Sequence, residues 1–141
     1  MTNKKIANIF FGVFAGLASY AIIGKLGLYL LEFGWTNYSA HTADKSYTFG
    51  MLLARQLVGI SAAVAAGIAS GILANDRGIS SWWVSIVVFC GASYIHFMTK
   101  TWTQYPLWYH FTYVGLIIPV IVGSRFLMQV QRNSSQTRKL F

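Results

Sequence analysis

Residues 50–74 constrain this chain more than any other stretch. They form an apolar run of 25 residues that carries a single charge, Arg55. At about 1.5 Å per residue, a helix of that length crosses a bilayer core of roughly 30 Å. Within residues 61–71, nine of eleven side chains belong to Gly, Ala or Ser. Helices in lipid associate by packing small residues, because burying apolar surface gains nothing when the solvent is itself apolar. The segment therefore reads as the central helix of a small membrane bundle.

The rest of the chain supports that reading. Charged residues make up 10% of the sequence and hydrophobic residues 55%, whereas soluble domains carry about 25% charged residues. The 141 residues leave room for four spans, near 6–33, 49–74, 79–98 and 107–128, and none for a separate soluble domain. The expected fold is an all-α transmembrane four-helix polytopic bundle, one domain with short loops. Gly12/Gly16, Ala62/Ala66/Ser70 and Gly115/Gly123 are the expected contact stripes. Pro119 falls inside the fourth span, where it removes a backbone donor and should kink the helix.

The opening residues have the look of a signal peptide, with Lys4 and Lys5 before an apolar run and Ala18-Ser19-Tyr20-Ala21 as a loose cleavage pattern. The apolar character continues through Leu31, as in a retained span. Residues 75–78 read as a tight turn, with Gly78 suited to positive φ. Residues 129–141 read as a polar, basic tail. Cys90 is the one cysteine and lies in an apolar run, so a disulfide framework is excluded and a buried, inert thiol is expected.

The net charge of +8 would suit nucleic acid, but the basic residues sit at span ends, where they set orientation. Seven of them (Lys4, Lys5, Arg77, Arg125, Arg132, Arg138 and Lys139) fall on the side of the termini, against Lys45 and Lys100 on the other. Cytoplasmic termini follow, with a bacterial inner (plasma) membrane as the simplest host. The expected partners are the lipid bilayer and either further copies of the chain or a larger membrane protein, with no nucleic acid.

Three groups of residues could carry chemistry. An ionisable side chain inside a span is costly and marks function by default. Lys25 and Glu32 are seven apart on one helical face. Arg55 shares its face with Gly59, Ala62, Ala66 and Ala69, and so points into the helix interface. Lys25 and Arg55 each fall roughly 10 Å below the outer boundary, counted at the helical rise. Either they hold an anion between them, or Lys25 is neutral through desolvation, or an Arg55–Glu32 clamp forms beside a snorkelling Lys25.

His96 and His110 are each seven residues from Thr103, so an antiparallel hairpin sets them at one depth. There they are candidate ligands for haem b or a divalent metal, with His41 as a third ligand only if its loop folds over them. Tyr94 and Tyr109 flank these histidines and are candidate ligand-facing aromatics. Third, Trp35, Tyr38, Tyr47, Trp102, Tyr105, Trp108, Tyr109 and Tyr113 crowd the same outer side, either as an interfacial aromatic belt or as the lining of a pocket for a ring-shaped or quaternary ligand. No HExxH, CxxCH, GxSxG or phosphate-cradling loop is present, and the acids are only Glu32, Asp44 and Asp76. The expectation is a non-enzymatic membrane protein that binds or passes a small, possibly anionic, solute or lipid, as an oligomer. The alternatives are an assembly subunit of a larger membrane complex, or a haem b- or quinone-binding subunit of an electron-transfer complex. No motif singles out a family.

Overall fold

A computed structural model describes residues 3–74, 76 and 78–137, with side chains up to residue 130. Among these residues the chain is all helical: α1 Asn3–Gly34, α2 Thr36–Thr42, α3 Phe49–Ala74, α4 Ile79–Ser93 and α5 Leu107–Thr137. A π turn, Tyr94–Met98, extends α4, and a 3-10 turn, Lys100–Thr103, leads into α5. Four of the helices, with α4 counted through its π turn, are long and apolar enough to cross a membrane. The expected tail is helical as far as Thr137, and α5 runs through Pro119 without interruption. Arg77, Arg138 and Lys139 lie outside the described residues, as does the side chain of Arg132.

α3 is the most buried of the four long helices. It packs most extensively against α1 and α5, while α4 lies against α5 and α1. The small residues make this possible. A Cβ added at Gly12 would fall 2.9 Å from the Ser70 carbonyl, and one at Gly16 would fall 2.6 Å from the Val84 side chain and 3.1 Å from the Ala66 carbonyl. Gly67 meets the Ile121 carbonyl and Ser124 as closely on the α5 side. The core they enclose is Ala63, Ala66, Val84, Val88, Ile117 and Ile121. The Gly115/Gly123 stripe is not used internally, because a Cβ at either position would meet nothing within 4 Å. Cys90 is exposed on the surface of α4 and not buried; the core-facing positions of that helix are Ser80, Ser81, Val84, Ser85 and Val88.

The end that holds the start of α1 and the turn between α3 and α4 is tightly closed. Gly78 adopts φ +107°, a conformation that disfavours a side chain. The Asp76 carboxylate accepts from the backbone N–H of Gly78 and Ser80, each at 2.8 Å, and so caps α4. Arg125 comes across from α5, with Nη1 2.8 Å from Asp76 Oδ1 and Nη2 donating to the Asp76 carbonyl. Both side chains are buried. Burial alone would raise the Asp76 carboxyl, but the two backbone donors and Arg125 hold it below the usual carboxylate range. A buried serine cluster lies one turn deeper, with Ser70 and Ser81 hydroxyls 2.7 Å apart and Ser70 donating to the Gly67 carbonyl. Arg125, expected as an orienting charge at a span end, is instead half of a buried ion pair.

Candidate functional site

The opposite end is built of aromatic rings. α2 turns back over the bundle and buries Tyr38 completely. The α2–α3 connection reverses at Lys45, whose φ is +59°. Lys45 Nζ donates to Gln104 Oε1 at 2.9 Å, tying this loop to the one before α5. His41 does not reach the other histidines. Its Nδ1 lies 2.6 Å from the Ser46 hydroxyl, which in turn donates to Asp44. Among the described residues no three His, Cys, Asp or Glu side chains group as metal ligands.

Arg55 lies under this cover. Its Nη1 donates to the Tyr38 hydroxyl at 2.7 Å and to the Tyr47 hydroxyl at 3.3 Å. The guanidinium carbon sits 4.9 Å from the Tyr47 ring centre and 5.6 Å from that of Tyr105, within cation–π range. Its Nε is buried with no hydrogen-bond partner. No carboxylate approaches within 4.0 Å; among the described residues the ion pair is Arg125–Asp76. The expected Arg55–Glu32 clamp is therefore not formed. Glu32 and Lys25 both lie on the exposed surface of α1, away from Arg55's cavity. The tyrosines do not neutralise the charge either. Burial pushes the Tyr38 phenol up to about 12 despite the Arg55 cation beside it, and burial also raises Tyr105.

Next to Arg55 is a cavity of about 100 Å³ between α1, α3, α4 and α5. Its polar wall consists of Tyr20, Arg55, His96, Tyr109 and Tyr113, and Gly24, Leu28 and Val58 supply apolar wall. Gly59 lets the Tyr113 ring in, since a Cβ there would fall 2.6 Å from it. Tyr109, one of the expected ligand-facing aromatics, is buried on this wall. Tyr94, the other, is 65% exposed on the outside of the π turn and does not line it.

The two histidines meet as their spacing predicts. His96 and His110 are buried, with their Nδ1 atoms 2.9 Å apart. His110 Nε2 lies 3.2 Å from the Tyr105 carbonyl. A carbonyl only accepts, so that nitrogen carries the proton, and the neutral His110 ring has a bare Nδ1. His96 Nδ1–H then donates across the 2.9 Å contact, and the proton-free atom of His96 is Nε2. That ring stacks on Tyr113, with centroids 4.7 Å apart, and Tyr113 in turn meets Tyr20, hydroxyl to hydroxyl, at 3.0 Å. Axial ligation of haem b does not fit this arrangement. An iron between two nitrogens separates them by about twice a metal–nitrogen bond, roughly 4 Å, whereas these nitrogens bond to each other.

Sequence reasoning missed Tyr20 as a site residue. Tyr38 and Tyr47 were legible as belt or pocket-lining aromatics but not as partners of Arg55, since that role depends on α2 folding back. Tyr20 had one available signal: it lies one helical turn from Gly16, on the face that α1 turns to the bundle.

No family model matches the chain, and no curated protein or solved structure is significantly similar to it.

Proposed function

We propose that this chain is a multi-pass membrane protein that binds the acidic head of a small solute or lipid at Arg55, without catalysing a reaction. The membrane part rests on the four long apolar helices and on the apolar exterior, where Phe10, Phe14, Trp82, Trp83, Phe111 and Leu127 are all exposed. With Arg125 committed to Asp76, six basic residues still stand on the side of the termini against two on the other. Cytoplasmic termini in a bacterial inner membrane are the corresponding orientation.

One observation carries the functional part: Arg55 is a cation inside an apolar helix with no carboxylate beside it. A charged side chain at the centre of a span costs roughly 2.5–3.5 kcal/mol on insertion scales. Arg55 lies six residues into α3, roughly 9 Å from its start at the helical rise. Two phenols and two ring faces hold it in place but leave its charge uncompensated. An arriving carboxylate or phosphate would compensate it, with charge-assisted hydrogen bonds of the kind guanidinium makes best. Native mass spectrometry of the chain extracted in mild non-ionic detergent tests this. The expected result is an acidic adduct on the wild type that is missing from Arg55→Gln, with unchanged circular dichroism. An adduct retained by a folded Arg55→Gln would refute the reading.

A second reading, an assembly subunit of a larger membrane complex, is favoured by a different face. Gly123 and Pro119 border an apolar groove of about 760 Å³ between α3 and α5 that no described residue of the chain fills. If a partner helix seats there, Gly123→Leu removes a co-purifying protein. An unchanged set of co-purifying proteins would count against it.

A further inference from the structure

The Arg55 cavity is too small for a whole organic ligand. At about 100 Å³ it falls well below the roughly 300–1,000 Å³ of ordinary small-molecule sites. A second space adjoins it. Between α1 and α4 a cleft of about 310 Å³ is walled by Val88, Gly91, Ala92 and Ile95. Its inner wall is Tyr20, His96 and Tyr113, the same three side chains that face the Arg55 cavity. Gly91 leaves the cleft open, because a Cβ there would meet nothing within 4 Å.

The wall between the two spaces is specific in what it offers. In the neutral histidine pair, His110 holds His96 Nδ1 as the donor, which leaves His96 Nε2 as an acceptor. His96 is 7% exposed, and its Nε2 has no partner among the described residues. Arg55 contributes donors only. One acceptor and one cationic donor around a small cavity match a head group with an O–H and a second oxygen, and the adjoining apolar cleft matches a tail.

Resting on the reading of Arg55 as an acid site, we propose that the ligand is a membrane-soluble carboxylic acid. Its carboxyl group sits between His96 and Arg55 and its hydrocarbon tail lies in the α1–α4 cleft. The carboxyl O–H is donated to His96 Nε2. If the proton crosses that bond, the O–H bond breaks, an N–H bond forms, and the resulting carboxylate faces Arg55. The proton enters with the ligand in either case, so the net charge of the site is unchanged, and Arg55 gains a countercharge only when the proton crosses to His96. Entry is from the bilayer, through the gap beside Gly91, Ala92 and Ile95.

Palmitic acid and acetate share the head and differ in the tail, so their equilibrium binding to the purified chain in non-ionic detergent separates the two halves of the proposal. The wild type is expected to bind palmitate saturably and acetate at least about tenfold more weakly, and His96→Ala to weaken palmitate about tenfold. Gly91→Leu adds a side chain at the cleft wall, where its Cβ meets nothing within 4 Å, and is expected to weaken palmitate while leaving acetate unchanged. If acetate binds as tightly as palmitate and Gly91→Leu alters neither, the tail site is wrong and the Arg55 site stands. If palmitate uptake is non-saturable and the same in wild type, Gly91→Leu and a folded Arg55→Gln, both the tail site and the Arg55 reading fall.

Discussion

Two arginines stand at opposite ends of this bundle, Arg125 buried and Arg55 partly buried, and their surroundings differ. Arg125 meets a carboxylate and a carbonyl of Asp76, which also caps α4. Arg55 meets tyrosine hydroxyls and ring faces and no carboxylate. The same guanidinium is thus a clamp at one end and a held but unspent charge at the other. Packing follows the same division. A Cβ added at Gly12 or Gly16 would fall within 3 Å of the neighbouring helices, while one at Gly91, near the Arg55 end, would meet nothing within 4 Å, and Gly91 opens on a cleft. In a bilayer, where apolar burial adds little to helix association, the closed end would get its stability from close packing and polar pairing. The open end leaves Arg55 and the cavity beside it without such pairing.

The comparison breaks most visibly at Asp76. Asp76→Asn leaves Arg125 buried without a countercharge, and breaking a buried pair costs about 3–5 kcal/mol. That loss should appear in the denaturant midpoint of the detergent-solubilised chain, with palmitate binding preserved in the folded fraction. Next in size is the packing contrast. Gly16→Leu drives a side chain into Val84 and the Ala66 carbonyl and should cost about 1–3 kcal/mol or more. Gly91→Leu meets open space and should stay within about 0.5 kcal/mol. Equal losses would erase the distinction between the ends.

Tyr38→Phe sharpens the account of the open end. It removes the hydroxyl 2.7 Å from Arg55 Nη1, a hydrogen bond to a charged group worth about 1.5 kcal/mol at the lower end of such bonds. The smallest expected effect is with pH. The Asp76 carboxyl is depressed in the folded state, so its contribution is complete above its unfolded value of about 3.9 and is lost as pH falls through the folded value. Unfolding followed from pH 7 downward should show no Asp76-dependent change until below about pH 4. Asp76→Asn should remove that acid-side loss.

The sequence made the long elements legible. Four apolar runs read directly as four long helices, and Gly12/Gly16 and Ala66/Ser70 do meet, because small residues at helical spacing have few other uses in such a chain. The equal spacing of His96 and His110 from Thr103 was enough to place them together, although it could not show that their nitrogens bond each other. What failed depended on non-local geometry. Arg55 finds Tyr38 only because a short helix folds back over the bundle, and nothing in a seven-residue polar stretch announces that. Lys25 and Glu32 share a face as expected, but that face turns outward. Gly115 and Gly123 have the same small-residue signature as Gly12 and Gly16 yet pack against nothing in the chain, since composition does not say which stripe finds a neighbour. Asp76 and Arg125 are 49 residues apart, and only the bundle brings them together.

On the proposed reading, Arg55 is held for a ligand and Arg125 for the fold. Its most direct test is the unfolding free energy of ligand-stripped Arg55→Gln and Arg125→Gln, measured side by side by SDS titration. The account predicts that Arg125→Gln loses about 3–5 kcal/mol, the cost of orphaning buried Asp76, while Arg55→Gln stays within about 1 kcal/mol of the wild type. A loss at Arg55→Gln as large as that at Arg125→Gln would contradict it and make Arg55 a second structural clamp.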